Sequence, residues 1–205
     1  MPKGLILLNN GFEDVEAIAT IDVLRRAKID LDLFSLDDTS ILTQSQIKLH
    51  SEKLYKNLNL EEYDFLVIPG GGAVLKYLNK RAEVSDIINN FVKREKLVAA
   101  ICAAPLLVGK LGYFKGKKFT CFPGCEEGIE GIYTGHGVEV TDKFITGKSM
   151  AYTIDFALEI VGYLLGKDYK KSVEKSIYAK KWILNDVSRY LLTFFSWSHL
   201  AFMVK

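Results

Sequence analysis

The chain has little cysteine, no long apolar run and almost no excess of either charge, and each shortage removes a class of protein. Three cysteines in 205 residues (Cys102, Cys121 and Cys125) are too few for a disulfide framework. Cys121 and Cys125 lack a second pair to complete four zinc ligands, so no metal is expected. No stretch reaches the roughly 20 apolar residues of a membrane-spanning helix. The run Leu5–Leu8 is too short for the core of a signal peptide. A net charge of +2, from 27 Lys+Arg against 25 Asp+Glu, lacks the basic excess that supplies affinity for nucleic acid. Repeats and low-complexity segments are missing as well. What is left is an ordinary globular composition, 49% hydrophobic and 25% charged, expected in a reducing cytoplasm.

The near-neutral average hides two parts. Residues 167–205 carry eight Lys/Arg against three Asp/Glu, a balance of +5, which leaves 19 against 22, or −3, for residues 1–166. We therefore expect an acidic domain over 1–166 and a basic, aromatic-rich extension over 167–205.

Within the first part, short apolar runs alternate with helical patterns. Lys3–Leu8, Tyr63–Pro69 and Leu97–Ile101 read as buried parallel strands, and Ile29–Leu36 as another. The spacing of Val15, Ile18, Ala19, Ile21, Val23 and Leu24 predicts an amphipathic helix closing at Arg25–Arg26. Ala82–Glu95, Ala103–Leu111 and Met150–Leu165 read as further helices, the last with Ile154, Leu158, Val161 and Leu165 on one face. Residues 37–60 read as short antiparallel or edge pieces, and Lys118–Cys121, Gly137–Val140 and Phe144–Thr146 as short strands. Strands and helices in this order predict an α/β three-layer sandwich around a mostly parallel sheet, followed by a C-terminal helical extension.

In such a sheet, ligands gather beyond the carboxyl ends of the strands. Three turns lie there, carrying Glu13/Asp14/Glu16, Gly70–Gly72 and Cys102. Cys102 sits at a strand–helix junction, where a side chain projects into the cleft, and the following helix is expected to lower its thiol pKa. Its alternative is a small buried hydrophobe. Cys121 and Cys125 lack such a placement and read as packing residues. Gly70–Gly72 lacks the Lys-Ser/Thr ending of a phosphate loop, which argues against a nucleotide cofactor; beside Cys102 it can supply an amide that stabilises an oxyanion. Glu13 and Asp14 suit a helix N-terminus. Glu16 is flanked by Val15, Ala17 and Ile18, so it is the carboxyl expected on the buried side, desolvated and able to share a proton with a thiolate.

Four motifs then carry a resemblance: Gly11-Phe-Glu-Asp-Val-Glu-Ala17, Asp22-Val-Leu-Arg-Arg-Ala27, Tyr63-Asp-Phe-Leu-Val-Ile-Pro-Gly-Gly71 and Ala99-Ala-Ile-Cys-Ala-Ala-Pro105, with Asp155-Phe-Ala-Leu158 beyond them. In order and over residues 2–166, they resemble the ThiJ/PfpI superfamily and its small parkinsonism-associated deglycase branch. The resemblance implies a flavodoxin-like sandwich and a homodimer. It implies a nucleophilic Cys102, a partner carboxyl in Glu16, and oxyanion amides from Gly71 and Ala103. It implies no cofactor, and a small dicarbonyl or glycated substrate handled by a glyoxalase or deglycase reaction, with redox sensing or chaperone action as the non-enzymatic alternative.

Two positions depart from the pattern. Residue 103 is Ala, where the protease-like branch has His, which argues against peptidase activity. The cleft histidine common in the deglycase branch has no counterpart in a gapless comparison; His136 is the candidate to replace it, with a plain exposed loop histidine as the alternative. Resemblance fades after Gly166. Residues 168–181 read as a basic amphipathic helix or linker. For the aromatic-rich 182–205, the readings are packing on the body or a dimer partner, an interfacial membrane helix, or a poorly ordered extension.

Overall fold

A computed structural model describes residues 1–179. The strands are β1 (Lys3–Leu7), β2 (Asp30–Ser35), β3 (Ser40–Leu42), β4 (Lys48–His50), β5 (Lys53–Leu54), β6 (Phe65–Ile68), β7 (Leu97–Ile101), β8 (Lys118–Phe119), β9 (Ile132–Tyr133), β10 (Val138–Thr141) and β11 (Phe144–Gly147). The helices are α1 (Asp14–Arg26), α2 (Gly72–Lys76), α3 (Ala82–Lys93), α4 (Pro105–Gly109), α5 (Thr153–Leu165) and α6 (Lys167–Ser176).

Seven strands form one sheet in the order β10-β11-β7-β6-β1-β2-β5. Every pairing in it is parallel except β10 with β11. This is the doubly wound α/β arrangement. Chain order runs outward from β1 to β2 and β5 on one side and to β6, β7 and β11 on the other, so the switch point, where such sheets bind ligands, falls between β1 and β6. The central strands are buried on both faces, which explains their unbroken apolar runs: Phe65–Ile68 and Leu97–Ile101 are buried throughout. Residues 37–60 hold the antiparallel pair β3–β4 and the edge strand β5, as their mixed pattern predicts. The pair β8–β9 stands apart as a small second sheet.

Two helix faces differ from the sequence reading. In α1 the interior takes Glu16, Ala17, Thr20, Ile21, Val23 and Leu24, while Val15 and Ile18 are 42% and 44% exposed. The buried rows 16/20 and 17/21/24 keep helical spacing but are rotated, because the polar Glu16 and Thr20 are drawn inward. In α5 the buried set is Thr153, Phe156, Ala157, Leu158, Ile160 and Val161; Ile154 faces outward instead. A 3₁₀ turn, Met150–Tyr152, precedes α5.

The first compact unit runs from Met1 to Val173. Basic residues 168–176 are helical within α6, with Val173 buried. The second unit begins at Glu174, and its described part is the end of α6 and the turn reaching Ala179. The aromatic-rich stretch 182–205, with its three competing readings, lies outside the described residues. Among the described residues no helix is long and apolar enough to cross a membrane.

Candidate active site

Cys102 follows the last residue of β7 with φ of +63°, the left-handed region that a side chain enters at a cost of about 1–2 kcal/mol. Its backbone is held from both sides. The Cys102 N–H donates to the Gly147 carbonyl at 2.9 Å, and the Phe122 N–H donates to the Cys102 carbonyl at 2.8 Å. β11 and the loop after β8 thus fix a sharp strand-to-helix bend. The thiol is only partly buried.

Glu16 comes from the first turn of α1 and is 1% exposed. Its Oε2 accepts the Gly70 N–H at 2.8 Å, and its carboxyl lies within hydrogen-bonding reach of the Cys102 thiol. Glu16 Oε1 is buried with no partner. Gly70 explains how the groups come so close. A β-carbon there would lie 2.6 Å from Cys102 Cβ and 2.7 Å from Glu16 Oε2, so only glycine fits. Gly71 has φ of +97°, which turns its amide toward the sulfur, where the Ala103 amide also points.

The electrostatics follow from this burial. Desolvation raises the Glu16 carboxyl to about 7, against opposing hydrogen bonds from Cys102 and Gly70. Desolvation, and then the Glu16 charge and hydrogen bond, push the Cys102 thiol up as well, while the Gly71 and Ala103 amides pull it down. The expectation of a thiol lowered by the following helix is therefore corrected. That helix, α4, is only Pro105–Gly109, and burial of the thiol, then the adjacent Glu16 carboxyl, outweighs it. Thiol and carboxyl titrate as one unit, with a proton to share between sulfur and oxygen.

His136 takes a different partner. Its side chain is 74% exposed and its Nδ1 lies 2.7 Å from Glu139 Oε1, while its carbonyl accepts from Thr120 Oγ1. Glu13 and Asp14 flank the start of α1, as expected of acidic residues at a helix N-terminus, and both are braced by the tip of the β3–β4 hairpin. Gln44 Nε2 donates to Glu13 Oε2 at 3.0 Å, and Ser45 Oγ donates to Asp14 Oδ1 at 2.7 Å. Gln44 Oε1 also accepts the Gly72 N–H at 2.7 Å, so one side chain ties α1 to the glycine turn. Sequence reasoning missed Gln44 and the Phe122 amide because neither stands in a motif; both act through long-range pairing. A cavity of about 390 Å³ borders this brace, lined by Asn10, Gly11, Gln44, Gly72, Lys76 and Tyr77; neither Cys102 nor Glu16 is in its walls. Among the described residues, no group of three or more His, Cys, Asp or Glu side chains is arranged to hold a metal ion.

The profile of the DJ-1/PfpI family matches residues 2–162. The chain belongs to that family. It is 33% identical over 180 residues to protein DJ-1alpha of Drosophila melanogaster, covering 85% of this chain and 83% of that protein. Among solved structures it resembles Drosophila melanogaster DJ-1beta, with a TM-score of 0.82 and 26% identity over 88% of this chain and all of that one. Oxidised DJ-1 of Toxoplasma gondii is similar to the same extent, with a TM-score of 0.81 and 26% identity over the same shares. Family membership accords with the observed sheet order.

Proposed function

We propose that this DJ-1/PfpI family member is a cysteine-dependent glyoxalase or deglycase acting on small dicarbonyls or early glycation adducts. One observation carries the reading: a partly exposed thiol on a strained elbow sits beside a buried carboxyl poised near neutrality, and two backbone amides face the sulfur. In the proposed reaction the Cys102 thiolate attacks an aldehyde carbon, and the thiol proton passes to Glu16. The amides of Gly71 and Ala103 hold the oxyanion of the hemithioacetal. Glu16 returns that proton to the oxyanion and, as the freed carboxylate, carries a proton from the aldehyde carbon to the adjacent carbonyl carbon, a task for which its unpartnered Oε1 and its pKa of about 7 suit it; water then cleaves the resulting thioester, releasing the hydroxy acid and the Cys102 thiol.

A second reading, a redox sensor, is favoured by the exposed His136, whose ring engages Glu139 and so leaves the thiol without an evident third group. In that case the same amides would stabilise an oxidised, anionic Cys102. The homodimer belongs to the proposal too, supported by the outward-facing Val15, Ile18 and Ile154 on the packed helices α1 and α5. The test is methylglyoxal consumption without added glutathione, for wild type against Cys102→Ser. We expect turnover only in wild type; equal rates in both would overturn the enzyme reading.

A further inference from the structure

The glycines beside Cys102 have to be held in place. Three in a row, Gly70–Gly72, form the least constrained backbone a chain can have, since glycine enters left-handed and right-handed regions alike. An amide in that stretch keeps a fixed aim when the peptide units around it are pinned. The Gly70 N–H donates to Glu16 Oε2 at 2.8 Å, and the Gly70 carbonyl accepts the Glu13 N–H at 3.1 Å. Beyond them the Gly71 carbonyl accepts the Val74 N–H at 3.2 Å, and the Gly72 N–H donates to Gln44 Oε1 at 2.7 Å. The peptide unit carrying the Gly71 N–H is thus held at its own carbonyl and through the units before and after it.

Gln44 is the pin that comes from farthest outside the site, at the tip of the β3–β4 hairpin. That tip is itself fastened to the start of α1. The Gln44 N–H donates to the Phe12 carbonyl at 2.8 Å, and Gln44 Nε2 donates to Glu13 Oε2 at 3.0 Å. The Ser45 N–H and Oγ both donate to the Asp14 carboxyl, and the Gly11 N–H donates to the Leu42 carbonyl at 2.8 Å. The glycine turn packs against the same segment: a β-carbon on Gly71 would lie 2.5 Å from the Glu13 nitrogen and 2.6 Å from the Gly11 carbonyl oxygen. Both ends of the Gln44 amide are engaged, one on each side of that packing.

We propose that Gln44 is a positioning residue for Cys102: by holding the Gly72 amide it fixes the glycine turn in the conformation that aims the Gly71 N–H at the sulfur. The proposal rests on the reading of Cys102 as the nucleophile and of Gly71 as one of its oxyanion amides. The Gly71 amide favours the thiolate, against burial and the Glu16 charge, so loosening the turn makes Cys102 harder to ionise.

The test follows the chemistry of the sulfur itself. Full-length protein is reacted with iodoacetamide at several pH values, and the label on the Cys102 peptide is measured by mass spectrometry. Gln44→Leu removes both side-chain bonds at an exposed position. Its Cys102 should alkylate about fivefold more slowly than wild type at about pH 8, with the rise displaced to higher pH. Glu13→Gln keeps a partner for Gln44 and should not slow the reaction. Gln44→Glu combined with Glu13→Gln exchanges donor and acceptor between the two positions, so the Gly72 N–H keeps its acceptor and the rate should return to within about twofold of wild type. Gln44→Ala repeats the truncation without a branched side chain, and thermal melts identify the variants that keep the fold. Wild-type rates at every pH in a folded Gln44 truncation would overturn the proposal, and so would a double variant that stays slow. No substrate enters these measurements. A wild type without methylglyoxal turnover would overturn the enzyme reading, while the alkylation rates would still decide for or against Gln44.

Discussion

Two places in this chain set a cysteine beside a glutamate, and they differ in which partner is buried and in what faces the sulfur. At Cys102 the glutamate is the deeply buried member, the thiol is partly open, and the backbone is strained to φ of +63° with two amides turned toward the sulfur. At Cys121 the sulfur is the fully buried member, pushed up to about 12 by burial first and by Cys125 and Glu126 next. The same two residue types thus make a poised nucleophile in one place and a protected thiol in the other. The difference teaches that a carboxyl raised by burial is what distinguishes a proton-sharing pair from a packing contact.

Removing each sulfur is the strongest way to break the comparison. Cys102→Ser should lower dicarbonyl turnover by about a thousandfold or more, the scale seen when a nucleophile is removed; Cys121→Ser should stay within about threefold, both read as lactate formed per minute. Glu16→Gln comes next, with turnover falling by roughly 10²–10⁴, the range for one general acid–base group. The Gln variant should nevertheless alkylate at Cys102 at lower pH than wild type, since the charge that raises the thiol is gone.

Stability sharpens the contrast further. Glu16 binds its proton more tightly folded than unfolded, because its pKa rises from 4.5 to about 7. Native stability should therefore fall as pH climbs from about 4.5 to about 7 and level off above that. Glu16→Gln should remove the slope and gain up to about 3 kcal/mol relative to wild type at pH 8, judged by urea denaturation at several pH values. The smallest expected effects distinguish two glycines. Gly70→Ala drives a methyl into Cys102 Cβ and Glu16 Oε2, and should cost about 1–3 kcal/mol together with activity. Gly124→Ala meets only open space and should cost about 1 kcal/mol of turn strain, with activity retained, by thermal melts beside turnover assays.

Much of this was legible in the sequence because buried parallel strands announce themselves as continuous apolar runs. Phe65–Ile68 and Leu97–Ile101 are such runs, and the turns that follow them hold Gly70, Gly71 and Cys102. Glu16 could be singled out because its neighbours are apolar, and its burial agrees. Helix phase was harder to read. Val15, Ile18 and Ile154 have the composition of core residues yet face outward, and polarity alone could not place Thr20 inside. The thiol's pKa was misjudged because local context showed a helix start, whereas what raises it is burial first and then Glu16, 86 positions away (102 − 16). Gln44 and the Phe122 amide likewise act through pairings that no local pattern encodes.

The central claim is that Cys102 and Glu16 behave as one titrating unit, and the pH dependence of Cys102 alkylation tests it most directly. In wild type, burial and the Glu16 carboxyl, ionised above about pH 7, should hold the thiol protonated, so the rate of reaction with iodoacetamide should rise only well into the alkaline range. In Glu16→Gln that charge is gone, and the rise should move to lower pH than in wild type. Identical pH profiles for the two proteins would contradict the account.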